Sequence, residues 1–280
     1  MFWLEPHTER IQRLLDNGTP ESLTYAALEA RLAIERFCYE RLRVAHDYIS
    51  QADLKRWQPG YIVTTLMQEV DPRVAESFTL SISTTPAEAG EDCSVENFRK
   101  SEYVEVGRQV GFDRAKLARL WHALGHFLHV RMPETKADAM KTYGDADAVR
   151  AKVEEALAEL KLLEEGTLIS SGLGETVSFE CPCGTKNMRR AALLKEGQTV
   201  SCINPKCDET WCVSMDGDDF MFKRQAISVP CRSCGKVSTF PQARLLKLER
   251  TSNIRFVCGG CSAENIIEWK LMHAAKAAAA

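Results

Sequence analysis

Nine of the eleven cysteines in this 280-residue chain lie after residue 180, and eight of them fall into pairs. Cys231-Arg-Ser-Cys234 and Cys258-Gly-Gly-Cys261 are two Cys-x-x-Cys knuckles with 23 residues between them. Such a turn brings two sulfurs to about 3.5–4 Å, one edge of a tetrahedron around a metal with metal–sulfur bonds near 2.3 Å. Gly235, Gly259 and Gly260 suit these knuckles, because glycine accepts positive φ and leaves backbone amides free to face sulfur. An earlier copy is less regular. Cys181-Pro-Cys183 has one intervening residue and Cys202-Ile-Asn-Pro-Lys-Cys207 has four. Cys212 follows five residues later and is an alternative to a member of the second pair. Aligning the two copies selects Cys181, Cys183, Cys202 and Cys207. Four thiolates per site point to two structural Zn2+ ions, closed to substrate, rather than to iron–sulfur clusters or disulfides.

These ligands need a frame that repeats. Val177-Ser-Phe-Glu-Cys-Pro-Cys-Gly overlays Ile227-Ser-Val-Pro-Cys-Arg-Ser-Cys-Gly, and each unit continues through an Ala-Leu-Leu or Arg-Leu-Leu turn to its second pair. A period of roughly fifty residues implies two copies of one supersecondary unit. The expectation is two small β-rich zinc ribbons, at 176–225 and 226–272, folded largely by their metal. Residues 273–280 form an alanine-rich tail.

The first 165 residues read as a mainly α-helical bundle. Asn17-Gly18 ends a helix begun near His7, and Thr19-Pro20-Glu21 starts the strongest one, over about 20–48. Leu23, Ala26, Ala30, Ile34 and Phe37 mark one apolar face. Leu28, Leu32, Tyr39 and Leu42 mark another, so this helix is expected to be sandwiched at the centre of the bundle. Shorter helices are predicted near 51–57 and 59–70, with further helices over 113–130 and 145–164. Phe78–Ser83 and Tyr103–Val106 alternate like strands, and Thr85–Asp92 reads as an exposed insertion. Residues 166–175 have linker composition.

Charge is divided unevenly. Residues 1–169 hold 21 Lys+Arg against 28 Asp+Glu, and residues 170–280 hold 15 against 11. Eight thiolates and two divalent ions would cancel that second excess, so global charge does not argue for nucleic acid. Local patches remain: Lys186–Arg190 and Lys223-Arg224, with Trp211, Phe220 and Phe222 nearby, could meet phosphates and stack bases, or could be ordinary hairpin residues. No apolar run is long enough for a membrane span and the start of the chain lacks a signal pattern, which predicts a cytoplasmic protein.

Other polar groups could act in the bundle. Arg119, His122, His126 and His129 share one helical stripe, either a solvated face or a third metal site. Arg31 and Glu35, one turn apart, suggest an internal ion pair or a pocket carboxylate. Arg41-Leu-Arg-Val-Ala-His46, and Arg119 followed by His126, resemble the arginine–histidine motif of HEPN-type helical domains, with Leu42 where that family's form is polar. The resemblance implies RNA cleavage by such a pair. Ala30-Arg-Leu-Ala-Ile-Glu-Arg36 and Trp121-His-Ala-Leu-Gly-His-Phe-Leu-His129 further resemble a bacterial family that joins such a bundle to a double ribbon, with no established activity. Two functions are therefore expected to compete. One is an adaptor whose ribbons engage RNA, DNA or a protein partner while the bundle docks or forms a homodimer. The other is an HEPN-like, metal-independent ribonuclease of defence or toxin type, with Arg41, His46, Arg119 and His126 as its candidate catalytic residues.

Overall fold

The computed structural model describes residues 3–54, 56–84, 94–130, 132, 135–136, 143–217 and 219–270. The insertion expected at 85–92 lies outside them apart from its flanks, as does the tail at 273–280. The chain divides into two compact units, one of Met1–His46 with Leu54–Glu175 and one of Asp47–Asp53 with Thr176–Ala280.

The first unit is helical around one hairpin. Helix α1 (Glu5–Asn17) stops at Gly18, whose φ of 69° satisfies the left-handed cap. Thr19 Oγ1 then accepts from Ser22 N at 3.2 Å and opens α2 (Pro20–Val44). Helices α3 (Pro59–Glu69), α5 (Arg114–His126) and α6 (Ala146–Glu164) pack around α2 together with α1. Asp113 and Asp145 cap α5 and α6 through paired backbone N–H bonds. A short α4 (Val95–Lys100), without a periodic apolar signal, precedes β2 (Tyr103–Gln109), which pairs antiparallel with β1 (Phe78–Ser83).

Ala26, Ala27, Ala30, Ile34 and Phe37 of α2 are fully buried, and the small alanines let the neighbouring helices approach closely. The opposite face departs from the sandwich expected for it. Leu28 is 37% and Leu32 43% exposed, and Tyr25 61%. The surrounding helices enclose one side of α2 and leave the other partly open.

A buried polar knot joins the hairpin to the helices. Gln109 is fully buried; its Oε1 accepts from Arg41 Nη1 at 3.1 Å and from Ser170 N at 3.3 Å. Its Nε2 donates to the carbonyls of Val74 and Glu76. Residues 167–170, part of the stretch with linker composition, thus bond to the end of β2, with Thr167 N and Leu168 N also donating to Arg108 O.

The second unit is a series of small antiparallel sheets. Its first copy joins hairpin β3 (Thr176–Glu180) and β4 (Lys186–Arg190) to a three-stranded sheet of β5 (Thr199–Ser201), β6 (Thr210–Asp216) and β7 (Asp219–Arg224). Its second copy consists of hairpins β8 (Ala226–Pro230) with β9 (Val237–Pro241), and β10 (Asn253–Val257) with β11 (Glu264–Glu268), with the short α7 (Gln242–Leu246) between them. Val200, Trp211 and Val213 pack with Phe179, Phe220 and Phe222 to give the first copy an apolar core. The second copy has little beyond Ile254 and the Phe240–Phe256 pair at 4.8 Å.

Gln109→Leu is expected to lower the unfolding free energy by about 3 kcal/mol, since buried N–H donors and a buried guanidinium lose their acceptor. Adding Arg41→Met should restore at least half of that loss in urea unfolding. Equal losses in the single and double variants would show that the unpaired arginine is not the cause.

Candidate metal centre

Each cysteine knuckle closes a hairpin or strand end by the same backbone device. Cys181 N donates to Thr185 O, Cys231 N to Lys236 O and Cys258 N to Ala263 O, each at 2.9–3.0 Å. In three of the four knuckles the turn holds one left-handed residue. Gly184 (φ 82°) and Gly235 (φ 75°) supply it in two knuckles, but in the third the residue is Ser262 (φ 56°), not Gly259 or Gly260 as expected. Gly260 serves differently: a Cβ there would lie 2.6 Å from Lys236 Cδ, and its amide reaches Cys258 Sγ at 3.3 Å.

These turns bring together Cys181, Cys183, Cys202 and Cys207, and separately Cys231, Cys234, Cys258 and Cys261. Within each group all four Sγ atoms lie within 4.8 Å of one another. Cross-knuckle contacts are 3.6 Å for Cys181–Cys207 and 3.7 Å for Cys183–Cys202. In the second group they are 3.7 Å for Cys231–Cys261 and 3.6 Å for Cys234–Cys258. A tetrahedron with metal–sulfur bonds of about 2.3 Å has edges of about 3.8 Å, so both sets fit a four-thiolate metal. Cys212 stands outside the first group, on β6, with its Sγ directed to Val213 O.

An asparagine braces each site, and neither is visible as a ligand in the sequence. Asn187 is fully buried, accepts from Ile203 N at 2.9 Å, and donates to Thr185 O at 3.0 Å and toward Cys202 Sγ at 3.9 Å. Asn265 repeats this set, accepting from Arg232 N at 3.1 Å and donating to Ala263 O at 3.0 Å and Cys231 Sγ at 3.4 Å. Both stand four residues after the second cysteine of their own knuckle and reach the first cysteine of the other. That shared offset is the signal that could have found them. Hydrogen bonds from Asn265 and from the N–H groups of Cys234 and Ser233 pull the Cys231 thiol down to about 6. The N–H groups of Gly260 and Cys261 likewise hold Cys258 below the ordinary thiol range. Thiolate, the form that ligates a metal, is thus favoured at both.

Part of the basic and aromatic set of the first copy turns inward. Arg189 is 2% exposed, donates to Ser201 O at 2.5 Å and lies 3.7 Å from Asp53. Arg190 covers the Tyr48 ring at 4.2 Å. Trp211, Phe220 and Phe222 belong to the apolar core, and Arg224 is paired with both oxygens of Glu209. Arg189, Arg190 and Trp211 are therefore buried in the fold, whereas Lys186, Lys223 and Arg224 of the two basic patches considered above stay exposed, Arg224 on its Glu209 partner.

Of the helical candidates, Arg41 and His46 lie in different surroundings. Arg41 is 1% exposed, sandwiched between the Phe37 and Phe112 rings at 4.5 and 5.0 Å, whereas His46 is exposed. Burial lowers the Arg41 guanidinium to about 10, and its Nε and Nη2 have no hydrogen-bond partner. Arg119, His122, His126 and His129 are all exposed on or just after α5, and no third metal group includes them among the described residues. Arg31 and Glu35 do pair, at 3.4 Å, and Glu35 also accepts from Trp121 Nε1 at 2.7 Å.

Comparison with protein-family models, curated proteins and solved structures gives no match.

Asn265→Ala is expected to weaken metal binding at the second site by about 10–100-fold, and Asn187→Ala to do the same at the first. Asn265→Asp, which replaces the N–H donor by a charge beside the thiolates, should weaken it at least as much. Competition against a chromogenic chelator measures both; unchanged affinity in all three variants would remove the bracing role.

Proposed function

We propose that this protein is a zinc-dependent scaffold: two zinc ribbons, each built on one structural Zn2+, joined to a helical unit that docks on another protein surface. The observation that carries this reading is the closure of both sites. Four cysteine sulfurs per site lie within 4.8 Å of one another, which fills a tetrahedral coordination shell and leaves no position for substrate. The ion's chemistry is then structural, holding thiolates together where hydrophobic burial is scarce.

The burial of Arg189, Arg190 and Trp211, which leaves only Lys186, Lys223 and the Glu209-paired Arg224 exposed from the two basic patches, supports a protein partner over nucleic acid. The docking role of the helical unit is supported by Tyr25, Leu28 and Leu32, which stand at helical spacing on the uncovered side of α2. Arg41, enclosed between rings while His46 is exposed, does not support the first of the two arginine–histidine pairs of the ribonuclease reading. No helix among the described residues is long and apolar enough to cross a membrane.

Metal analysis of the purified chain is expected to return about two zinc ions, and Cys258→Ser about one. Chelation should abolish the ordered tryptophan environment of the second unit while the helical circular-dichroism signal persists. A metal-free protein with unchanged spectra would refute the scaffold. Leu28→Glu with Leu32→Glu is expected to abolish self-association or partner capture measured by sedimentation, without lowering the thermal midpoint. A salt-sensitive shift of RNA or DNA by the wild-type chain would instead replace the protein partner by nucleic acid.

A further inference from the structure

Between α3 and α5 lies a cavity of about 420 Å³, within the size range of small-molecule sites. The two helices run antiparallel here: Arg114, which opens α5, donates to Thr64 midway along α3, while Trp121 near the far end of α5 meets Trp57 just before α3 at 5.7 Å. The groove floor is made of small residues. A Cβ on Gly60 would sit 3.1 Å from Ala118 Cβ, and Ala115 continues the same stripe. Close backbone approach beneath and short side chains above leave the open volume.

Its walls differ at the two ends. At one end the Trp121 indole is fixed before any ligand arrives: Glu35 takes its N–H, and the Arg31 guanidinium lies 3.9 Å from its ring centre. Tyr61 and His122 complete this aromatic end. At the other end stands Arg114. The seven residues from Arg114 to Trp121 span about 10 Å at 1.5 Å per helical residue. Among the described residues no aspartate or glutamate lines the cavity, although acids outnumber bases in this half of the chain. A second cation, Arg56, stacks over Tyr61 at 4.5 Å and adds positive charge at the rim.

We propose that this cavity binds a small aromatic carboxylate, its ring against Trp121 and Tyr61 and its carboxylate on Arg114. Arginine matches a carboxylate through two parallel N–H bonds, and one arginine suffices for a monoanion. The rigid indole wall reduces the ordering cost of binding. This site is independent of the zinc reading, because it lies wholly in the helical unit.

The test is isothermal titration of the full zinc-loaded chain with indole-3-propionate, 3-indolepropanol and tryptamine, which share a ring and differ in charge. Indole-3-propionate is expected to bind with a Kd below about 1 mM, and the neutral and cationic analogues at least about tenfold more weakly. Arg114→Gln should erase that preference, and Ala115→Trp, which fills the groove from its exposed side, should abolish binding. Both variants must keep the wild-type helical signal; a third, Tyr61→Ala, weakens binding without touching the charge and serves if either fails to fold. Equal affinity for all three probes, no saturable binding of indole-3-propionate, or wild-type binding by the substituted chains would overturn the proposal. Tighter binding of phenyl phosphate than of indole-3-propionate would overturn the assignment to a carboxylate.

Discussion

Four sulfurs held within 4.8 Å of one another cannot all carry charge unless a cation sits among them. This constraint governs the second half of the chain. The turns that aim the sulfurs inward are closed by backbone hydrogen bonds, but the hairpins they join have few apolar residues to hold them. The dependence is unequal. The first copy adds a third strand and an aromatic cluster around Trp211, so its sulfurs rest on a core. The second has two bare hairpins, and its fold follows from its site far more directly.

The helical half is organised by a different polar commitment. A guanidinium stripped of water and given one acceptor is a poor source of stability, since desolvation offsets most of what the hydrogen bond and the two aromatic faces return. What Arg41 and Gln109 do is fix register: β2, the turn carbonyls of Val74 and Glu76, and the chain at Ser170 must all meet one amide. An apolar pair could fill the same space but would not select among neighbouring registers.

Much of this was legible before any coordinates. Cap residues Thr19, Asp113 and Asp145 announce helix starts because their side chains act locally, within three residues. Strand alternation at Phe78 and Tyr103 is equally local, and the coarse order of helical half and β-rich half follows from such signals. Whatever depends on distant partners was not legible. The second apolar face of α2 looks like a sandwich in one dimension, yet no element covers Leu28 and Leu32 fully. Arg189 and Arg190 look like a surface patch until Asp53 and Tyr48, more than a hundred residues earlier, come to meet them. Ser262 takes a left-handed turn beside two glycines that composition alone would choose.

The two asparagine braces run in opposite directions along the chain. Asn187 leaves the earlier knuckle of its copy for the later one, while Asn265 leaves the later for the earlier. Straight duplication of a finished unit would have kept one direction. The position of a knuckle in its copy therefore does not decide which one gives the brace: the earlier gives it in the first copy and the later in the second. In each copy the asparagine marks which knuckle gives the brace and which receives it.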